Sequence, residues 1–142
     1  MPLSVQIVCE LLFVNQLARD KLSKLLPSGM ELSQFLVLLH IAQLDGETGP
    51  ARRAEAFNGT RGAMSNTLSR LERQGLITVR PDPTDARRKF IGLSNAGQVT
   101  LDEVFGGIRP AFEPILENKA PTDLDMSLAL LADIREGLET RR

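Results

Sequence analysis

The apolar positions divide the chain into segments of two periods. Between Ser4 and Leu26, the residues Val5, Val8, Leu12, Leu22, Leu25 and Leu26 recur at helical spacings, with Arg19, Asp20, Lys21 and Lys24 as a polar side. From Val5 to Leu17 the apolar residues spread over more than one face. Such a helix needs burial on more than one side, which in a small protein points to a partner chain. Pro27-Ser28-Gly29 ends the segment. A second helix is predicted over Glu31 to Leu44, with Phe35, Leu38, Leu39 and Ala42 toward the core. A loop follows from Asp45, then a short third helix from Pro50 to Phe57. Proline suits its first turn. Ala54 and Phe57 can face inward, and Arg52 and Arg53 can reach a phosphate. Asn58-Gly59 reads as a turn.

The next stretch, Thr60 to Leu93, changes period midway. Met64, Leu68 and Leu71 share one face of a helix that Thr60 can cap and Gln74-Gly75 ends. The opposite face carries Gly62, Asn66, Ser69, Arg70 and Arg73, flanked by Arg61 and Ser65. The first turn is built from small residues, so its end is slim. Short hydroxyl and amide groups suit base edges, and arginines suit phosphate or guanine. An amphipathic helix with a merely solvated polar face would show the same stripe, so the helix alone does not decide. Residues 76–80 and 89–93 then suit two strands. Between them, Pro81 to Arg88 holds two prolines and two aspartates and is predicted to be a turn. Arg87, Arg88 and Lys89 put dense positive charge near its tip, and Asp85 is placed to orient an arginine. A helix followed directly by a basic hairpin is the layout of a winged helix-turn-helix.

Downstream, Ser94 is the expected N-cap of a helix running through Val99, Leu101, Val104 and Phe105. Gly106-Gly107 and Pro110 should kink or stop it, and Pro114 adds a second threat. Phe112, Ile115 and Leu116 are expected to be buried. Thr122 or Asp123 should cap a last helix whose apolar stripe is Leu124, Leu128, Leu131, Ile134 and Leu138.

A net charge of −1 argues at first against nucleic acid. Its distribution reverses that. From Arg52 to Lys89 nine basic residues face four acidic ones, whereas the remainder holds eight basic and fourteen acidic. Charge this segregated means one basic face. The 142 residues amount to one domain, no stretch reaches a membrane-spanning length, and the N-terminus lacks the basic region and cleavage site of a signal peptide. A cytoplasmic location is the expectation. One cysteine excludes an internal disulfide framework.

Enzymatic readings find little support, and no enzyme is expected. No Ser/His/acid grouping, CxxC, HExxH or Walker A stretch occurs. No cofactor and no metal are expected. His40 is the only histidine and has no carboxylate or thiol at ligand spacing, which favours a packed or capping role. Cys9 lies among Val5, Val8, Leu12 and Phe13, which give a thiol no cationic or donor neighbour. A buried, inert cysteine is favoured over a redox switch.

The residues Arg61-Gly62-Ala63-Met64-Ser65, Leu71-Glu72, Gly75-Leu76-Ile77, Arg80, Asp85, Arg87, Ile91, Leu93, Ser94 and Gly97 together resemble the winged-helix core of the MarR family. Gln34-Phe35 and Leu38 extend the likeness to the second helix, and the length suits a whole member. Glu31 stands where that family commonly has threonine, and Ala86 replaces a frequent wing arginine. The resemblance implies a mainly α fold with a small β-hairpin wing. It implies one domain over 1–142, with dimerisation helices at 1–28 and 98–142 around a DNA-binding core at 31–97. The expected function is a homodimeric transcriptional regulator, a repressor, binding a pseudo-palindromic operator. Asn66, Ser65, Ser69 and Arg61 are assigned to base edges. Arg70, Arg73, Arg52 and Arg53 go to phosphates, and Arg87 to the minor groove with Arg88 and Lys89 supporting. The resemblance also implies a small aromatic or phenolic acid as effector, bound between the dimerisation and DNA-binding regions. Two other readings stand beside it: a winged-helix protein-interaction module without DNA, and a redox or ligand sensor acting through Cys9.

Overall fold

The computed structural model describes residues 1–43 and 61–140, and within them leaves undescribed the side chains of residues 61, 62 and 86–88. The predicted third helix at Pro50 to Phe57 and the turn at Asn58-Gly59 lie outside the described residues. The elements are α1 (Leu3–Ser23), α2 (Leu32–Gln43), α3 (Arg61–Arg73), β1 (Ile77–Asp82), β2 (Asp85–Leu93), α4 (Asn95–Leu116) and α5 (Pro121–Thr140). Two compact units result, Met1–Ile108 and Arg109–Arg142. The mainly helical architecture with one antiparallel hairpin is the one the sequence predicts.

The core of the first unit is built from one stripe of each element. Phe35, Val37, Leu38 and Ile41 come from α2, and Met64, Leu68 and Leu71 from α3. Ile77 and Ile91 come from the hairpin, and Leu101 and Val104 from α4. Burial of side chains this size is worth roughly 1.5–3 kcal/mol each, so the Met64/Leu68/Leu71 stripe fixes which way α3 turns its polar face. Ala42, expected inward, is exposed, whereas Val37 and Ile41 are buried. The pattern of α2 is apolar nearly all round, so spacing alone does not select its inner face.

Local chemistry sets the element ends. Gly29 takes φ +84° between α1 and α2. Just before α2, the N–H of Glu31 donates to Gln34 Oε1 at 2.9 Å, the returning half of a capping box. Gly75, at φ +74°, closes α3. Its N–H donates to the Glu72 carbonyl at 2.9 Å, and the Leu76 N–H donates to the Leu71 carbonyl at 3.0 Å. These two bonds make a Schellman motif, which needs a residue comfortable at positive φ. Pro121 occupies the first helical position of α5, so the cap is Ala120, two residues before Thr122 and three before Asp123.

The junction of α3, hairpin and α4 is held by Ser94. Its hydroxyl donates to the Gly75 carbonyl at 2.6 Å and accepts from the Gly97 N–H at 3.0 Å. Its own N–H donates to the Leu76 carbonyl at 3.1 Å. Gly97 is buried here, and a Cβ on it would collide with the Leu76 carbonyl oxygen and the Leu93 side chain.

Two expectations are corrected. The first is the stop at Gly106–Pro110. Helix α4 instead runs from Asn95 to Leu116 with Pro110 and Pro114 inside it. Each proline removes the N–H that would bond the carbonyl four residues back, those of Gly106 and Pro110. Gly106, Pro110 and Pro114 are exposed, so water can serve those carbonyls. The second is burial at the end of α4: Ile115 and Leu116 are exposed in the single chain, while Phe112 is half-buried. On α5, Leu128, Leu131 and Leu138 are exposed and Leu124 and Ile134 half-buried. Helices α1 and α5 bury no residue fully. Leu22 of α1 packs against the core, but most large apolar side chains of the two helices are exposed.

If Ser94 is the junction, Ser94→Ala should lower unfolding free energy by about 1–2 kcal/mol through loss of the cap. Gly97→Ala should cost roughly 1–3 kcal/mol through overpacking. Urea melts followed by circular dichroism would measure both, and a variant within a few tenths of wild type would refute its role.

Candidate nucleic-acid interface

Helix α3 carries three stripes. Met64, Leu68 and Leu71 face the core. Ser65, Ser69 and Glu72, at i, i+4 and i+7, form a second stripe that faces the hairpin. With Leu68, Val79, Lys89 and Ile91 they line an open cleft of about 100 Å³ between helix and wing. Asn66, Arg70 and Arg73, also at i, i+4 and i+7, form the third stripe, on the side away from the hairpin. All three are exposed. The outer surface of the helix is thus a seam of hydroxyl, amide and guanidinium groups, as the sequence predicts.

The arginines of the third stripe are not extended freely into solvent. Arg70 Nη1 lies 3.7 Å from Glu31 Oε2, an ion pair to the residue preceding α2. Arg73 Nε donates to the Ser69 carbonyl at 3.4 Å, folding back along its own helix. Both pairings are at exposed positions, where they contribute little to stability.

In the wing, the two faces of the hairpin divide the work. Ile77 pairs with Leu93 and Val79 with Ile91 on the inner face. Thr78 opposes Gly92 and Arg80 opposes Phe90 on the outer face. The Arg80 guanidinium carbon sits 5.1 Å from the centroid of the Phe90 ring, a cation–π arrangement that holds the charge over the sheet. The predicted eight-residue turn is corrected to two residues, Pro83-Thr84, with pairing resumed at Asp82 and Asp85. Asp82 makes this tight turn work. It is 8% exposed, and its Oδ1 accepts from the Thr84 N–H at 2.8 Å and the Thr84 hydroxyl at 2.7 Å. An Asx-type closure of this kind replaces the longer loop. Pro81 fits a strand because a two-stranded sheet leaves each strand one open edge, where no N–H is needed.

The register also shifts between Pro81, paired with Lys89, and Asp82, paired with Asp85. Ala86, Arg87 and Arg88 therefore have no partner across the hairpin and form a bulge in β2. Asp85 is half-buried at its start and Lys89 exposed at its end.

Of the predicted site residues, Ser65, Asn66, Ser69, Arg70, Arg73, Arg80, Asp85 and Lys89 are placed with their side chains. Arg61, Gly62, Arg87 and Arg88 are placed by backbone alone, the first two in the opening turn of α3 and the others in the bulge. Arg52, Arg53 and Thr60 lie outside the described residues. Two acidic residues were not assigned from sequence. Glu72 shares the cleft with Lys89, a position the i+3 spacing from Ser69 could have revealed. Glu31 meets Arg70 through tertiary packing, for which no sequence signal exists. Cys9 is half-buried on α1, and His40 half-buried on α2. Among the described residues no cluster of His, Cys, Asp or Glu could hold a metal ion, and no helix is long and apolar enough to cross a membrane.

Comparison with known proteins gives the same picture. The MarR family model matches residues 28–88. The chain is 28% identical over 105 residues to the HTH-type transcriptional repressor YetL of Bacillus subtilis, covering 74% of this chain and 62% of that protein. The chain thus spans about three fifths of that relative's length. CouR of Rhodococcus jostii, solved bound to p-coumaroyl-CoA, superposes with a TM-score of 0.75 at 21% identity, covering 95% of both chains. A mutant MarR of E. coli, solved with operator DNA, superposes with a TM-score of 0.70 at 21% identity, covering 94% of this chain and 99% of that one. At such identities the likeness establishes the fold.

Asp82→Ala should remove the closure of the wing turn and lower stability by about 1–2 kcal/mol. It should also speed amide exchange at Thr84 well beyond any change in the core. Exchange at Thr84 that merely tracks the core would show that the turn does not depend on the carboxylate.

Proposed function

We propose that this chain, which the MarR family model matches over residues 28–88, belongs to that family and is a homodimeric transcriptional regulator that reads a pseudo-palindromic operator through α3 and the wing. The observation that carries the reading is the outer surface of α3. Ser65, Asn66, Ser69, Arg70 and Arg73 stand exposed on a helix locked to the core by its other face, beside a hairpin carrying Arg80, Arg87, Arg88 and Lys89. In this reading Arg61, Ser65, Asn66 and Ser69 meet base edges. Arg52, Arg53, Arg70 and Arg73 meet phosphates. Arg87, in the bulge, enters the minor groove, with Asp85 holding an arginine in place.

The dimer is the second half of the proposal. On α1, Leu3, Val8, Leu12, Phe13, Val14 and Leu17 are each more than half exposed, and on α5 so are Met126, Leu128 and Leu130. Contiguous apolar surface on this scale is rarely left in water. We assign residues 1–28 and 98–142 to a two-fold interface and residues 31–97 to DNA. Two reading heads so related would meet half-sites about one helical turn apart. Repression, release by a small organic acid and a cytoplasmic location extend the same reading and rest on the family membership.

The test is binding of the purified protein to promoter DNA beside its own gene, against scrambled duplex at two salt concentrations. Selective, salt-sensitive binding with a two-half-site footprint is expected. Arg87→Ala should weaken it by about 1–3 kcal/mol at matched salt. Leu12→Glu should shift the protein from dimer to monomer in light scattering. Absence of duplex binding at low salt, with the dimer intact, would favour a protein-interaction module instead.

A further inference from the structure

The regulator reading leaves one contact on the DNA-facing surface unused: the ion pair between Arg70 of α3 and Glu31. We propose that Glu31 is an affinity-setting residue, whose carboxylate cancels the Arg70 charge and keeps one phosphate contact weak. This rests on the reading of α3 as the DNA-contacting helix.

The geometry supports it in three ways. Arg70 lies on the same stripe as Asn66 and Arg73, so a phosphate beside that stripe comes within reach of its guanidinium. Glu31 Oε2 is 3.7 Å from Arg70 Nη1, and the two side chains are 65% and 46% exposed. Both charges therefore face the same water that a duplex would displace. Finally, Glu31 is not a dangling surface residue. Its backbone N–H is held by Gln34 Oε1 at 2.9 Å, and Gln34 itself is 1% exposed. The backbone of Glu31 is thus tethered to the buried start of α2, which keeps its side chain within reach of Arg70.

A phosphate approaching Arg70 meets a neutral pair rather than a cation. If the pair stays together, the phosphate lies beside a carboxylate. The contact then neutralises no phosphate and releases no counterion. Salt dependence is the readout that separates this role from a structural one, since the log–log slope counts phosphates neutralised, about 0.9 for each.

The experiment measures duplex affinity of the full chain across salt for four proteins: wild type, Glu31→Gln, Arg70→Gln and the double variant. Glu31→Gln should bind more tightly and steepen the slope by about 0.9, so its advantage grows about three- to fourfold over a fourfold drop in salt. In the Arg70→Gln background the same substitution should leave the slope unchanged, because the cation it would release is gone, whereas a general effect of net charge would persist there. An unchanged slope or weaker binding in Glu31→Gln would overturn the proposal, as would an equal gain in the Arg70→Gln background. If neither wild type nor Glu31→Gln binds duplex at low salt, it is the regulator reading that fails.

Discussion

One serine hydroxyl joins the parts of this protein that must keep a fixed relation. Ser94 reaches the carbonyl at the end of α3, the base of β1 through its own amide, and the first turn of α4. Each bond alone is ordinary. Together they tie the helix that presents the polar seam to the hairpin beside it and to the helix that leads away. Gly97 makes the approach feasible, because the Leu76 carbonyl occupies the space a Cβ would take. The angle between α3 and the wing thus depends on backbone contacts closed by a side chain of two heavy atoms. A larger residue at Gly97 has nowhere to go.

With that junction fixed, the core stripe of α3 decides everything about its other faces. Met64, Leu68 and Leu71 leave one polar stripe turned to the wing and another turned toward the start of α2. Each polar stripe meets one carboxylate. Glu72 shares the cleft with Lys89, and Glu31 pairs with Arg70. The surface is therefore more finely balanced than its surplus of arginines suggests. Net positive charge draws a polyanion, while the embedded carboxylates limit how many of those cations act as simple phosphate contacts.

Much of this was legible from the residues. The i, i+4, i+7 run at Met64, Leu68 and Leu71, the Gln74-Gly75 stop, the Ser94 cap and the two strands all appear where local chemistry places them. These are features in which one residue type has one strong preference. The misreadings share a different cause. The tip of the wing was expected to be an eight-residue turn because Pro81 and Asp82 disfavour strands, yet an edge tolerates the proline and Thr84 satisfies the aspartate. The prolines of α4 do not stop it, because residues 106, 110 and 114 are exposed and water can serve the freed carbonyls. Val37 and Ile41 were missed because α2 is apolar on nearly every side, so only its neighbours choose the inner face. The Arg70–Glu31 pair joins residues 39 positions apart, and no local rule connects them. The residues assigned to base edges and phosphates follow from the resemblance and from helix geometry, and their roles await the binding measurements.

The bulge at Ala86, Arg87 and Arg88 has a further meaning for how such a protein can change. Strand pairing on either side of it is fixed, by Ile77 and Ile91 toward the core and by Asp82 and Thr84 at the tip. The three residues between sit outside the ladder, so their replacement alters no pairing. Neither would a modest insertion or deletion there. The wing is in effect a fixed bracket with an interchangeable tooth. Lineages descending from one ancestor could diversify what the tooth touches while inheriting the bracket unaltered, and divergence among relatives should concentrate there rather than at Ser94 or Gly97.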